Sequence, residues 1–189
     1  MLRKKMEELE KSNLECKKCN LREGCSGVVF GGGNPESFIM FVGEGPGQRE
    51  DETGIPFVGK AGEMLNKILE AVELSREQIY ITNIVKCRPP GNRTPTYEEM
   101  EICLPWLREQ YKIMRPRIMV LLVLTATHAI LDKKLKRVQC RGQWFEKGDL
   151  SIMPTYHPAA LLRNPSLKRA AWEDFKLISQ KAKIYLENS

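Results

Sequence analysis

The 189 residues, 42% of them hydrophobic, are enough for one well-buried core and too few for two enzyme domains, so a single domain spanning 1–189 is expected. Thirty Lys and Arg against 24 Asp and Glu give a formal charge of +6, which suits a polyanionic partner without requiring one. No apolar run approaches a bilayer span, and residues 1–12 are charged and amphipathic, which argues against a membrane protein and leads us to expect a cytoplasmic one.

Six cysteines without a secretory leader argue against a disulfide scaffold and for metal binding, because cytosolic thiols stay reduced. The first of them form Cys16-Lys17-Lys18-Cys19, a Cys-x-x-Cys pair whose two thiolates can meet one metal centre from a tight turn. Cys87 and Cys103 can complete four-fold sulfur ligation of zinc or of a cubic iron–sulfur cluster, and the spacing does not choose between them. Cys25 and Cys140 are left over.

Further along, apolar, β-branched or aromatic runs predict buried strands at 38–42, 79–85, 118–124 and 151–155. Apolar spacing of three and four residues predicts helices at 62–72, 97–111, 126–135 and 167–186. The alternation of strand and helix predicts an α/β fold, a three-layer αβα sandwich around a central four-stranded parallel sheet with right-handed crossovers. Ligands of such sheets sit beyond the carboxyl ends of the strands, and the unusual residues collect there.

After the first strand comes Gly43-Glu44-Gly45-Pro46-Gly47, where glycines allow a backbone to approach a ligand closely; a plain glycine turn fits equally. It has neither the Lys-Ser/Thr ending of a P-loop nor the spacing of a dinucleotide fingerprint. Phe57, within Gly54-Ile55-Pro56-Phe57-Val58-Gly59, is a flat ring in a loop that can stack on a base or fill the core. Asn83 closes the second strand, where an amide can read a base edge through a donor and an acceptor, or cap a turn. His157 precedes Pro158 at the end of the fourth strand, placed to donate to a developing negative charge. His128, inside a predicted helix, reads as a packing or surface residue.

The segments 43–51, 54–62, Tyr80-Ile81-Thr82-Asn83-Ile84-Val85-Lys86-Cys87-Arg88-Pro89-Pro90 and His157-Pro158-Ala159-Ala160-Leu161-Leu162-Arg163-Asn164-Pro165 together resemble the family 4 uracil-DNA glycosylases, in matching order over nearly the whole chain. The resemblance implies the αβα fold, a [4Fe-4S] cluster on Cys16, Cys19, Cys87 and Cys103, and hydrolysis of the N-glycosidic bond of uracil in single- or double-stranded DNA. By the same carry-over Gly43, Glu44 and Gly45 line the uracil pocket, Phe57 stacks on the base, Asn83 reads its edge and His157 contacts the departing base. The loop 157–165 would enter the minor groove, with Leu161, Leu162 and Arg163 as wedges. The implied enzyme is a monofunctional glycosylase with ordinary turnover, acting as a monomer on uracil-containing DNA, with no membrane partner and any replication-clamp contact left open.

Some positions depart from the pattern. Thr125 stands where the family usually has glycine, which bears on backbone approach near the pocket, and Cys25 stands where a basic residue is usual. Better-known glycosylase relatives place a water-orienting aspartate at the position of Gly45. Glu44 is the candidate to replace it; Asp51, or no carboxylate, are the alternatives. A glycosylase for another base, a non-catalytic iron–sulfur DNA-binding protein and an electron carrier are the competing functions.

Overall fold

The computed structural model describes Met1 to Glu187. It contains helices α1 (Leu2–Leu14), α2 (Gln48–Thr53), α3 (Lys60–Ala71), α4 (Tyr97–Met114), α5 (Leu124–Ile130), α6 (Arg137–Cys140), α7 (Pro158–Arg163) and α8 (Lys168–Glu187). The strands are β1 (Gly32–Gly33), β2 (Ile39–Gly43), β3 (Tyr80–Asn83), β4 (Ile118–Leu121), β5 (Phe145–Lys147) and β6 (Leu150–Pro154).

The strands form one sheet in the order β1-β3-β2-β4-β6-β5. The four anticipated strands are its parallel centre, but the sheet has six strands, because β1 and β5 add short antiparallel edges. Two glycines carry no apolar signal, and three residues are too few for a periodic one. The expected strand at 118–124 stops at Leu121, and α5 already begins at Leu124. That helix ends at Ile130, short of the expected residue 135, and His128 Nε2 meets the Leu135 carbonyl at 2.8 Å, a packing role.

Alternation along the central strands sorts the core into two layers. Met40 and Val42 of β2 join Met6 of α1 and Leu104 and Leu107 of α4 on one face. Ile39 and Phe41 join Leu65 and Leu69 of α3 and Phe175 and Ile178 of α8 on the other. The αβα arrangement follows from this two-sided burial. No helix of the described residues is long and apolar enough to cross a membrane.

The parallel register sets Gly43 beside Asn83 at the carboxyl ends of β2 and β3. Past the strands the two chains stay joined, since the amides of Ile84 and Val85 donate to the carbonyls of Gly43 and Glu44 at 3.0 and 3.1 Å. The loop after β2 and the segment leading to Cys87 are thereby held side by side.

Candidate active site and cysteine hollow

A pocket of about 510 Å³ opens at this rim, lined among others by Glu44, Gly45, Phe57, Asn83, His157 and Arg163. Gly43, expected to line this pocket, lies behind the lining residues instead: a Cβ there would lie 2.4 Å from Asn83 Oδ1 and 2.7 Å from the Phe57 ring. The space between amide and ring exists because residue 43 has no side chain.

Asn83 is 2% exposed, and its Oδ1 is buried without a hydrogen-bond partner. A buried acceptor left unpaired costs about 1–3 kcal/mol, a cost that a donor entering the pocket would remove. Its backbone carbonyl is taken by Lys86 Nζ at 2.8 Å, and that ammonium also donates to Thr82 Oγ1 and to Gln110 Oε1 at 2.7 Å. Burial lowers Lys86 to about 7, against the raising influence of the Cys103 sulfur.

Phe57 has a left-handed backbone, φ 53°, held from both sides. Arg76 donates to the carbonyls of Pro56 and Phe57, each at 2.7 Å. Glu50 Oε1 accepts from the amides of Val58 and Gly59 at 3.0 and 2.9 Å, which caps the start of α3. Gly62 lies against this turn, where a Cβ would fall 1.8 Å from the Phe57 carbonyl oxygen. Gly62→Ala is therefore expected to push α3 off the Phe57 turn and cost about 1–3 kcal/mol of stability, as overpacking does. Denaturant midpoints check this, and an unchanged midpoint would contradict it.

The Phe57 and His157 rings stand 5.5 Å apart, tilted by 33°. His157 is the N-cap of α7, with Pro158 following, and its Nδ1 accepts the Ala159 amide at 3.0 Å. The ring hydrogen therefore sits on Nε2, which makes the neutral imidazole a donor. Burial, reinforced by the Arg163 charge and opposed by Glu50, pushes His157 down to about 4.

Thr125 Oγ1 donates to Glu44 Oε2 at 2.5 Å and so holds a pocket carboxylate. Asp51 is not in the pocket. Its buried carboxylate accepts from the amides of Ser26 and Gly27 at 2.9 to 3.4 Å, which pins the amino-terminal segment to α2 and removes it as a water-positioning candidate. Leu161 is 1% exposed and packs inward, so of the expected wedge residues only Leu162, 43% exposed, and Arg163 face outward. A six-residue helix is too short for its inner and outer faces to be read from spacing.

Cys16, Cys19, Cys87 and Cys103 line one small hollow on the other side of the segment that carries Asn83, walled by Leu21, Val28 and Ile102. No three His, Cys, Asp or Glu side chains among the described residues come close enough to hold a metal ion. Burial raises Cys87 well above the ordinary thiol range and raises Cys103 against the lowering influence of Lys86, and each feels the neighbouring cysteines. The Lys86 amide already donates to Cys103 Sγ at 3.3 Å. Cys25, set aside as spare, accepts from Arg22 Nη1 at 3.9 Å and also faces Cys87.

The signature of the Uracil DNA glycosylase superfamily matches residues 30–176. A type-4 uracil-DNA glycosylase of Thermotoga maritima is 44% identical over 179 residues, which cover 92% of this chain and 90% of that protein. Another, of Sulfurisphaera tokodaii, is 41% identical over 186 residues, covering 94% and 84%. A type-5 uracil-DNA glycosylase of Pyrobaculum aerophilum is more distant, at 33% over 147 residues, covering 68% and 64%. With this breadth of agreement, the chain belongs to the uracil DNA glycosylase superfamily and, within it, to the type-4 group.

Proposed function

We propose that this chain is a uracil-DNA glycosylase of base excision repair, a monofunctional hydrolase that flips uracil out of single- or double-stranded DNA and cuts its N-glycosidic bond. The observation that carries this reading is the unpaired Asn83 Oδ1 facing a slot bounded by Gly43, Phe57 and His157. Uracil offers along one edge an N–H donor beside a carbonyl acceptor, the complement of a carboxamide.

Extruding a paired nucleotide costs a few kcal/mol. Stacking on Phe57 returns roughly 1–3 kcal/mol, which holds the base without breaking the bond. Leu162 and Arg163, outward-facing on α7 beside the pocket, are the candidates to fill the vacated stack and meet the backbone. Bond cleavage leaves negative charge on uracil, and the neutral His157 donates to it from Nε2. Glu44, oriented by Thr125, would position the attacking water on the sugar's side. Glu44→Gln keeps the shape and the Thr125 contact but weakens the carboxylate's hold on water, so a rate loss smaller than for Asn83 or His157 is expected. Single-turnover excision rates check the order, and a loss exceeding theirs would make Glu44 the principal catalytic group.

The same reading places a [4Fe-4S] cluster on Cys16, Cys19, Cys87 and Cys103. Four thiolates on one hollow can ligate either tetrahedral zinc or a cubic cluster, and the resemblance to the family 4 glycosylases selects the cluster. Bound there, the cluster would supply structural ties between the amino-terminal segment, the loop after β3 and α4. Because one sheet carries both core layers, the chain is read as one domain.

Incubating anaerobically purified protein with a deoxyuridine-containing oligonucleotide, then with alkali, tests the activity, and iron and sulfide analysis of the same sample tests the cluster. Strand scission at deoxyuridine alone is expected; an intact strand from folded, iron-replete protein would refute the assignment.

A further inference from the structure

Beyond the four thiols, the hollow has a second ring of polar groups with a regular placement. Asn13, Arg22 and Trp106 all line it. Each stands three residues from a candidate ligand: Asn13 before Cys16, Arg22 after Cys19, Trp106 after Cys103. Cys103 and Trp106 lie one turn apart on α4, and Arg22 closes the short 3-10 helix that follows Cys19, so the spacing puts these two polar side chains on the same side as their cysteines.

Among the described residues, these three side chains also supply three of the four buried side-chain polar atoms without a partner: Asn13 Oδ1, Arg22 Nε and Trp106 Nε1. The fourth is Asn83 Oδ1 in the active-site pocket. Buried N–H groups are almost always paired, and leaving one unpaired costs about 1–3 kcal/mol. Indole Nε1 and guanidinium Nε can only donate. Two donors lacking acceptors at one hollow point to an acceptor that belongs inside it, and thiolate or sulfide sulfur bearing negative charge is such an acceptor. Lys18 Nζ lies 5.0 Å from the centre of the Trp106 ring, and Arg22 Nη1 already reaches the Cys25 sulfur, so the surroundings favour an anion.

We infer that Trp106 Nε1–H and Arg22 Nε–H donate hydrogen bonds to the sulfur atoms of the bound cluster and set its reduction potential. The inference rests on the cluster reading above. Donors to sulfur spread the cluster's negative charge and stabilise the reduced, more negative state, so they raise the potential. A half-turn of the Asn13 carboxamide would bring its NH2 group to the position of its unpaired oxygen and add a third donor.

The test uses the full-length protein purified anaerobically. Wild-type protein is examined by electron–nuclear double resonance of a paramagnetic state of the cluster in H2O and D2O, and Trp106→Phe and Arg22→Lys by redox titration with iron and sulfide quantified. Arg22→Lys keeps the positive charge and removes Nε–H. Exchangeable protons coupled to the cluster are expected in the wild type, and the potential is expected to fall in both variants at unchanged iron content and unchanged uracil excision. Absence of iron from the wild type would defeat the cofactor reading itself. Iron present with no coupled exchangeable proton, or potentials unmoved in both variants, would overturn the inference alone. If one variant fails to assemble its cluster, the potential of the other decides, because the Lys86 amide donates to Cys103 Sγ and gives the wild type an exchangeable coupled proton of its own.

Discussion

Asn83→Ala is expected to lower the single-turnover rate of uracil excision by about a hundred- to a thousandfold, the range for losing one preorganised polar contact to a reacting group. The same substitution should leave the unfolding free energy within about 1 kcal/mol of the wild type. The two expectations have one cause. Asn83 Oδ1 is buried and makes no hydrogen bond within the protein, so truncating the side chain breaks no internal contact at that oxygen. What is lost is the complement to a base edge, in a slot that Gly43 leaves open and Phe57 covers. A rate loss accompanied by an equal loss of stability would assign Asn83 to the scaffold instead. A rate near wild type would end the base-reading assignment.

The parts of this site that can be read in the sequence are those where local chemistry is unusual. Four strands buried on both faces leave continuous β-branched and aromatic runs, and the glycine-rich turn, Phe57 between glycines, Asn83 at a strand end and His157 before proline each break the surrounding pattern. What escapes is whatever depends on the direction of an ordinary residue. Glu50 sits in the acidic run Glu50-Asp51-Glu52, and nothing local tells that its carboxylate turns inward to hold the Phe57 turn, or that Asp51 holds Ser26. Arg76 fixes Phe57 from nineteen residues away, a contact only the packed fold creates. Leu161 and Leu162 are identical in kind and opposite in exposure. The edge strands carry too little hydrophobic pattern to register. At the cysteine hollow, by contrast, the three-residue offsets of Asn13, Arg22 and Trp106 stand in the sequence and gain meaning only once the helical turns beneath them are known.

His157→Ala is expected to reduce the single-turnover rate by a similar hundred- to thousandfold, and the pH dependence separates its role from that of a general acid. Acceptance of the Ala159 amide at Nδ1 leaves one hydrogen, on Nε2, and the imidazole stays uncharged above its depressed pKa of about 4. The donor is thus ready across the neutral range, and the wild-type rate should show no step near 6.5 that vanishes in His157→Ala. Stability gives an independent reading of the same shift. Because the folded pKa lies below the ordinary 6.5, the unfolded chain binds more protons between pH 6.5 and 4; the stabilisation is complete above 6.5 and is lost as the pH falls towards 4. At pH 5 the loss from this group amounts to about 2 kcal/mol relative to neutral pH. Denaturant midpoints at pH 7 and pH 5 should therefore separate further in the wild type than in His157→Ala. Equal separations would mean that the imidazole titrates normally, and a charged His157 would then donate as an acid instead of as a neutral hydrogen-bond partner to the departing uracil.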